Sequence, residues 1–170
     1  MSKPTFSCPG SASRQFTPAA EIPSVQSNLP AVDQNAGLGG RPAMQSQLGQ
    51  WPVQLMLVPT HAGYFKEADL AITADCVPFA FADFHETFLK GRPLVVGCPK
   101  LDNAQVYVDK LAEILALHNL KGAEILVMEV PCCSGLVQIT EAAREKAGVR
   151  TPLRVTTIGV RGENMGTREI

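Results

Sequence analysis

A chain of 170 residues is long enough to bury one core without disulfide or metal staples. Its net charge of −1, with no run of Lys or Arg, offers no electrostatic footprint for nucleic acid or an anionic membrane, and neither partner is expected. The first residues, MSKPTFSCPGSASRQF, carry no apolar stretch behind Lys3, and no run elsewhere approaches the ~18 apolar residues of a membrane span, so a cytoplasmic protein is expected.

Residues 1–48 are rich in Pro, Ser, Gln, Gly and Ala without helix or strand periodicity, and read as an extended or flexible arm carrying Cys8. Residues 49–170 read as an α/β domain. In chain order the expected elements are a strand at Val53–Val58 (VQLMLV), a short helix near Tyr64–Ala68, a strand at Asp69–Ala74 and a helix at Phe79–Leu89. A strand at Pro93–Gly97, a helix at Ala104–His118, a strand at Ala123–Val130, a helix at Leu136–Ala147 and a strand at Leu153–Gly159 complete the series. Ala104, Val108, Leu111, Ile114, Leu115 and His118 share one face at helical spacing, and Asp102 or Asn103 can cap that helix. Near-continuous apolar runs suit parallel strands covered on both sides. The fold class is therefore an open, mainly parallel sheet of about five strands with flanking helices and right-handed crossovers, Rossmann or flavodoxin-like.

Cysteines punctuate this pattern. Cys76 follows the second strand (ADCVP), Cys98 the third (VVGCPK), and Cys132 and Cys133 the fourth (MEVPCCSG). All stand at carboxyl ends of strands, where open α/β sheets bind ligands, whereas burial alone would scatter cysteines through strands and helices. Strands ~4.8 Å apart place three or four tips within roughly 10 to 14 Å, a distance loops close. Cys133 precedes a helix whose amide dipoles favour a thiolate, and a proline stiffens each loop. Five cysteines in a reducing compartment make a poor disulfide framework, and soft sulfur donors select zinc, copper(I) or iron–sulfur clusters. Structural zinc normally uses paired C-x2-4-C knuckles, absent here, and a thioredoxin-like C-x-x-C is absent too. An iron–sulfur cluster held from several loops accounts for the whole set, while a Cys132–Cys133 dithiol stays open as an alternative.

Other residues stand near the same rim. With a strand at Val53–Val58 and the order 2-1-3-4-5, His61 would lie between the Cys76 and Cys98 loops as a cofactor-binding or proton-relaying group. His85, His118 and Lys100 read as structural or solvated. Phe79, Phe81, Phe84 and Phe88 read as packing that could shield a cluster from water. Asp75 and Glu129 read as caps of loops or helices. No G-x-G-x-x-G after a strand and no G-x-x-x-x-G-K-[ST] occurs, which leaves nucleotide binding without a motif.

The segments SQLGQWPVQLMLVP, ADLAITADCVPFAFADFH, LVVGCPKLDNAQVYVDKL and MEVPCCSGL together resemble the C-terminal domain of ferredoxin-fused iron–sulfur proteins of anaerobic and related bacteria, over residues 45–150. The resemblance implies that Cys76, Cys98, Cys132 and Cys133 match the characteristic cysteines of that domain, and that Cys8, in Ser7-Cys8-Pro9-Gly10, matches the cysteine of the segment joining it to the ferredoxin module. That module is not in this sequence, which implies a separate redox partner such as a ferredoxin or an oxidoreductase. A weaker similarity, carried by Cys98, a long gap and Cys132–Cys133, is to the CCG domains of heterodisulfide reductases; their downstream C-x-x-C is absent, so their disulfide-cleaving activity does not carry over. The expected function is electron transfer through a cluster, [4Fe-4S] in type, with metal ligands among Cys8, Cys76, Cys98, Cys132 and Cys133. Two alternatives stand beside it: a redox enzyme acting on a small molecule or disulfide, and a zinc-binding or metal-free interaction module. Homo-oligomerisation is left open.

Overall fold

A computed structural model describes residues 12–16 and 45–170; most of the expected arm, Cys8 included, lies outside them. The central sheet has five strands, β3 (Asp69–Ala74), β4 (Leu94–Gly97), β5 (Gly122–Met128), β6 (Leu153–Ile158) and β7 (Asn164–Glu169), in the order β4-β3-β5-β6-β7. The first four are parallel and β7 is antiparallel to β6. Counted from β3, this is the order 2-1-3-4-5. A separate two-stranded ribbon joins β1 (Arg14–Gln15) to β2 (Gln50–Trp51). Among the described residues no helix is long and apolar enough to cross a membrane.

The expected strand at Val53–Val58 does not form. Gln54 makes one isolated parallel bridge to Val96, and the Leu57 and Val58 amides then turn back onto the Gln54 carbonyl at 2.8 and 2.9 Å. Leu55 and Val58 are still buried. Apolar content satisfies burial in a turn as well as in a strand, so the run VQLMLV did not distinguish them. β7 went unpredicted for the opposite reason, since its sequence NMGTRE is exposed throughout and has no apolar alternation. Pairing with β6 makes it a strand.

Three α-helices cover the sheet: α1 (Val77–Ala80), α2 (Ala104–His118) and α3 (Ser134–Ala147). α2 has the predicted bounds, capped by Asn103, whose side chain accepts from the Gln105 and Val106 amides at 2.9 and 3.4 Å. The helix expected over Phe79–Leu89 is broken into α1 and a single π-helical turn at His85–Leu89. Gly162, from the loop after β6, lies so close to the Ala80 carbonyl that a Cβ there would overlap its oxygen. The continuation of α1 is thus occupied by a segment distant in sequence.

Parallel register places Leu70, Ile72, Ala123, Ile125, Leu153 and Val155 on one face, all buried beneath the side-by-side α2 and α3. Each large one contributes about 1.5–3 kcal/mol of transfer free energy. The opposite face carries a charged lattice instead. Arg92 Nη1 lies 2.8 Å from Glu124 Oε2, Arg92 Nε and Arg154 Nη2 lie 3.2 and 2.9 Å from Asp69 Oδ2, and the Thr156 hydroxyl donates to Glu124 Oε1 at 2.6 Å.

Candidate functional site

The chain leaves β3 for β4 on one side and then crosses back past β3 to β5, so consecutive connections depart in opposite directions between β3 and β5. In an open α/β sheet this switch point opens a crevice at the carboxyl edge. Cys76 stands there after β3, as the residue preceding α1. Cys132 and Cys133 stand there after β5, in a 3-10 turn (Pro131–Cys133) that runs directly into α3. Cys98 follows β4, which flanks β3. These four thiols are unbonded; Cys76 and Cys132 are exposed, Cys98 is half-buried and Cys133 is buried.

The loops meet one another. Burial pushes the Cys133 thiol up, and the adjoining Cys132 and Cys76 sulfurs add to this, so Cys76 lies within electrostatic reach of Cys133 across the crevice. On the other flank, a Cβ built on Gly135 would sit 3.3 Å from Pro99, which seats the Cys98 loop against the start of α3. The expectation that the helix dipole would favour a Cys133 thiolate is corrected here. Cys133 is wound into helical backbone and buried, and desolvation of the anion raises its thiol, offset only in part by a backbone hydrogen bond from Met128.

Among the described residues no group of three or more His, Cys, Asp or Glu side chains is arranged to hold a metal ion. A single ion requires donors converging on one point at about 2.0–2.3 Å. A cluster is a larger object whose separate irons each take a thiolate, and it accepts a wider spread of sulfurs. The donor chemistry of four thiols on three adjoining loops fits the latter.

Residues 62–170 match the Rossmann-like domain family. The chain belongs to this family. A protein of Archaeoglobus fulgidus, described as uncharacterized, is 32% identical over 116 residues, which cover 68% of this chain and 81% of the relative. No solved structure matches. Rossmann-like domains share a scaffold across many chemistries, so the family establishes where a site forms, and the side chains there must supply what it does.

His61 is not at the crevice of this Rossmann-like domain. Its neighbour Thr60 carries the carbonyl that meets His118 Nε2 at 2.7 Å, and His118 ends α2 at the amino-terminal edge of the sheet. His61 is exposed there, because VQLMLV turns instead of running as a strand. His85 Nδ1 accepts the Gln47 amide at 3.1 Å, a structural contact. Phe81, Phe84 and Phe88 pack together, with Phe88 5.1 Å from Phe81 and 6.1 Å from Phe84 between ring centroids, but Phe79 is 91% exposed and packs against nothing of the core. Glu129 Oε1 accepts the Val160 amide at 2.8 Å and ties the loop after β6 to the rim.

Asp75 and Asp102, read from the sequence as caps, stand in a polar group with Tyr107, which the sequence did not single out. Burial holds the Asp75 carboxyl above the ordinary carboxylate range; a Gln54 hydrogen bond offsets part of this and nearby Asp102 adds to it. Asp75 Oδ1 is buried without a hydrogen-bond partner among the described residues. Tyr107, fully buried, donates to Asp102 Oδ2 at 2.5 Å, and the Asp102 amide donates to the Cys98 carbonyl at 3.1 Å. Burial first, then the Asp102 bond, pushes its phenol far up. The buried stripe Tyr107, Leu111, Ile114, Leu115 and His118 has ideal helical spacing, and a stripe started at Tyr107 instead of Ala104 would have found this residue.

The Cys133 shift has a measurable consequence. The folded state keeps a proton that the unfolded chain loses above the ordinary thiol value of 9.0, so stability falls as pH rises. The contribution is fully present below that value and lost as pH climbs through the folded pKa. Urea denaturation midpoints measured from pH 8 to 10.5 should decline, and Cys133→Ala should decline less steeply; equal slopes would contradict this account.

Proposed function

We propose that this Rossmann-like domain is an iron–sulfur redox protein that passes electrons through a cluster, [4Fe-4S] in type, held by Cys76, Cys98, Cys132 and Cys133. The observation that carries the reading is that these four cysteines stand on three neighbouring loops at the carboxyl edge of the sheet, with Cys76 and Cys132–Cys133 flanking the switch point. The finer relationship, to the C-terminal domain of ferredoxin-fused iron–sulfur proteins, belongs to the same proposal, as do a cytoplasmic location and a ferredoxin or oxidoreductase as electron partner.

Cys8, outside the described residues, belongs to the same proposal as a further sulfur for the site.

When bound, the cluster would supply one-electron acceptance and donation. The chain's own residues then have defined tasks. Cys133 releases its proton to bind, which makes loading pH-dependent, and burial around it lowers the dielectric against the cluster. Cys76 and Cys132 face solvent, where a partner approaches.

Anaerobic purification and reconstitution, followed by iron and sulfide analysis, visible absorption and paramagnetic resonance, tests the proposal. Wild type should take up iron and sulfide and turn brown with the broad visible absorption of thiolate-bound iron. Cys→Ser at 76, 98, 132 or 133 should each remove most of it, and unchanged iron in Cys8→Ser would remove Cys8 from the set. A colourless, iron-free wild type after reconstitution would end the proposal.

One observation favours a second reading. Cys132 is exposed beside buried Cys133, a pairing of an attacking with a protected thiol that suits dithiol exchange. Disulfide reduction that survives complete iron removal would establish it.

A further inference from the structure

We propose that Tyr107 is a positioning residue that fixes the Cys98 sulfur at the rim, an inference that rests on reading the cysteine rim as the redox site. Gly97 lies against the Tyr107 phenol. A Cβ at this position would overlap the Tyr107 hydroxyl and two carbons of its ring, so the strand end is shaped around the phenol. Packing alone would be served by phenylalanine, which would bury no hydroxyl. The hydroxyl instead reaches the Cys98 loop through Asp102. The Tyr107 hydroxyl donates to Asp102 Oδ2 at 2.5 Å, and the Asp102 amide donates to the Cys98 carbonyl at 3.1 Å.

The Cys98 carbonyl is therefore tied twice, since the Leu101 amide also reaches it at 3.1 Å. Pro99 restricts the backbone of Cys98 from the other side, because a residue before proline is held away from helical angles. With φ and ψ fixed, the sulfur keeps only its χ1 rotamers. The same anchor reaches α2, since Asn103, next to Asp102, caps that helix. Cys98 is thus rigidly presented, on a loop that also rests against Gly135 beside the Cys132–Cys133 turn.

The test uses the full chain in two forms: the wild-type cysteine set, and a version in which Cys98 is the sole cysteine, made with Cys8→Ser, Cys76→Ser, Cys132→Ser and Cys133→Ser. Tyr107→Phe keeps the ring over Gly97 and removes only the hydroxyl. Hydrogen exchange at the Asp102 amide, which holds the Cys98 carbonyl, should rise about tenfold, the loss of roughly one net hydrogen bond, while amides within β5 are unchanged. The Cys98 thiol should react several-fold faster with an aromatic disulfide reagent. Asp102→Ala should reproduce both changes, and Asp102→Asn, which retains an acceptor, should restore wild-type behaviour. In anaerobically reconstituted protein, Tyr107→Phe should shift the reduction potential at equal iron content. An unchanged amide and an unchanged thiol in Tyr107→Phe would overturn the positioning role. If wild type takes up no iron, the redox proposal falls, and the amide and thiol measurements still decide whether Tyr107 positions Cys98.

Discussion

Arg92→Met is expected to destabilise the fold by about 3–5 kcal/mol, the cost of leaving a buried ion-pair partner uncompensated. The Arg92 side chain is 14% exposed and Glu124 11%, so solvent cannot replace what the substitution removes. Arg92 binds Glu124 Oε2 at 2.8 Å and Asp69 Oδ2 at 3.2 Å, and donates to the Phe88 carbonyl at 3.2 Å, thereby joining β3, β5 and the π-helical turn. After its removal Glu124 keeps the Thr156 hydroxyl, but the nearest remaining cation, Arg154, is 3.8 Å away and already engaged with Asp69. Arg92→Met combined with Glu124→Leu should be milder than the sum of the two single changes, because the double variant buries no unpaired charge. Urea denaturation of the four proteins checks this; a loss below about 1 kcal/mol in the Arg92 variant would show that the lattice is not what holds this face.

Gly97→Ala is the second large effect, expected to cost about 1–3 kcal/mol through overpacking. The added carbon overlaps the hydroxyl and two ring carbons of a tyrosine that has no exposed surface and whose hydroxyl is tied to Asp102, so the ring has nowhere to move without breaking the rim. Tyr107→Leu in the same chain should recover part of the lost stability while leaving the Cys98 loop loose. Thermal denaturation reports the first outcome and exchange at the Asp102 amide the second. A Gly97→Ala protein with wild-type stability and wild-type exchange would mean that Tyr107 is not fixed by its surroundings.

The two substitutions act on parts of the molecule that differ in how readable they are. Glu124 sits inside the run AEILVMEV and is 8% exposed, an anomaly a sequence exposes, yet its partner Arg92 is 32 positions away and follows no pattern. Gly97 likewise announces nothing until the ring of Tyr107 is laid over it. His61 failed for a related reason: its predicted place depended on VQLMLV being a strand, and the Gln54 carbonyl, accepting from Leu57 and Val58, made that segment a turn. The break after α1 depended on Gly162, and the strand character of β7 on an exposed pairing with β6. Each decision lies in a contact between segments far apart in the chain.

Local period and chain rhythm govern what is legible along the chain. Asp69–Ala74 and Ala104–His118 carry their elements in their own apolar spacing, and the alternation of strands with helices dictates a parallel sheet with its loops at one edge. That alternation is enough to bring Cys76, Cys98, Cys132 and Cys133 to one rim, because every strand of a βαβ series ends on the same side. Packing in three dimensions sets the rest: which sulfur is buried, that burial keeps the proton on Cys133, and that a phenol bonds the side chain of Asp102, whose amide holds the Cys98 carbonyl. Those properties depend on desolvation and on hydrogen bonds closed between distant segments, and neither is encoded in the spacing of residues along a line.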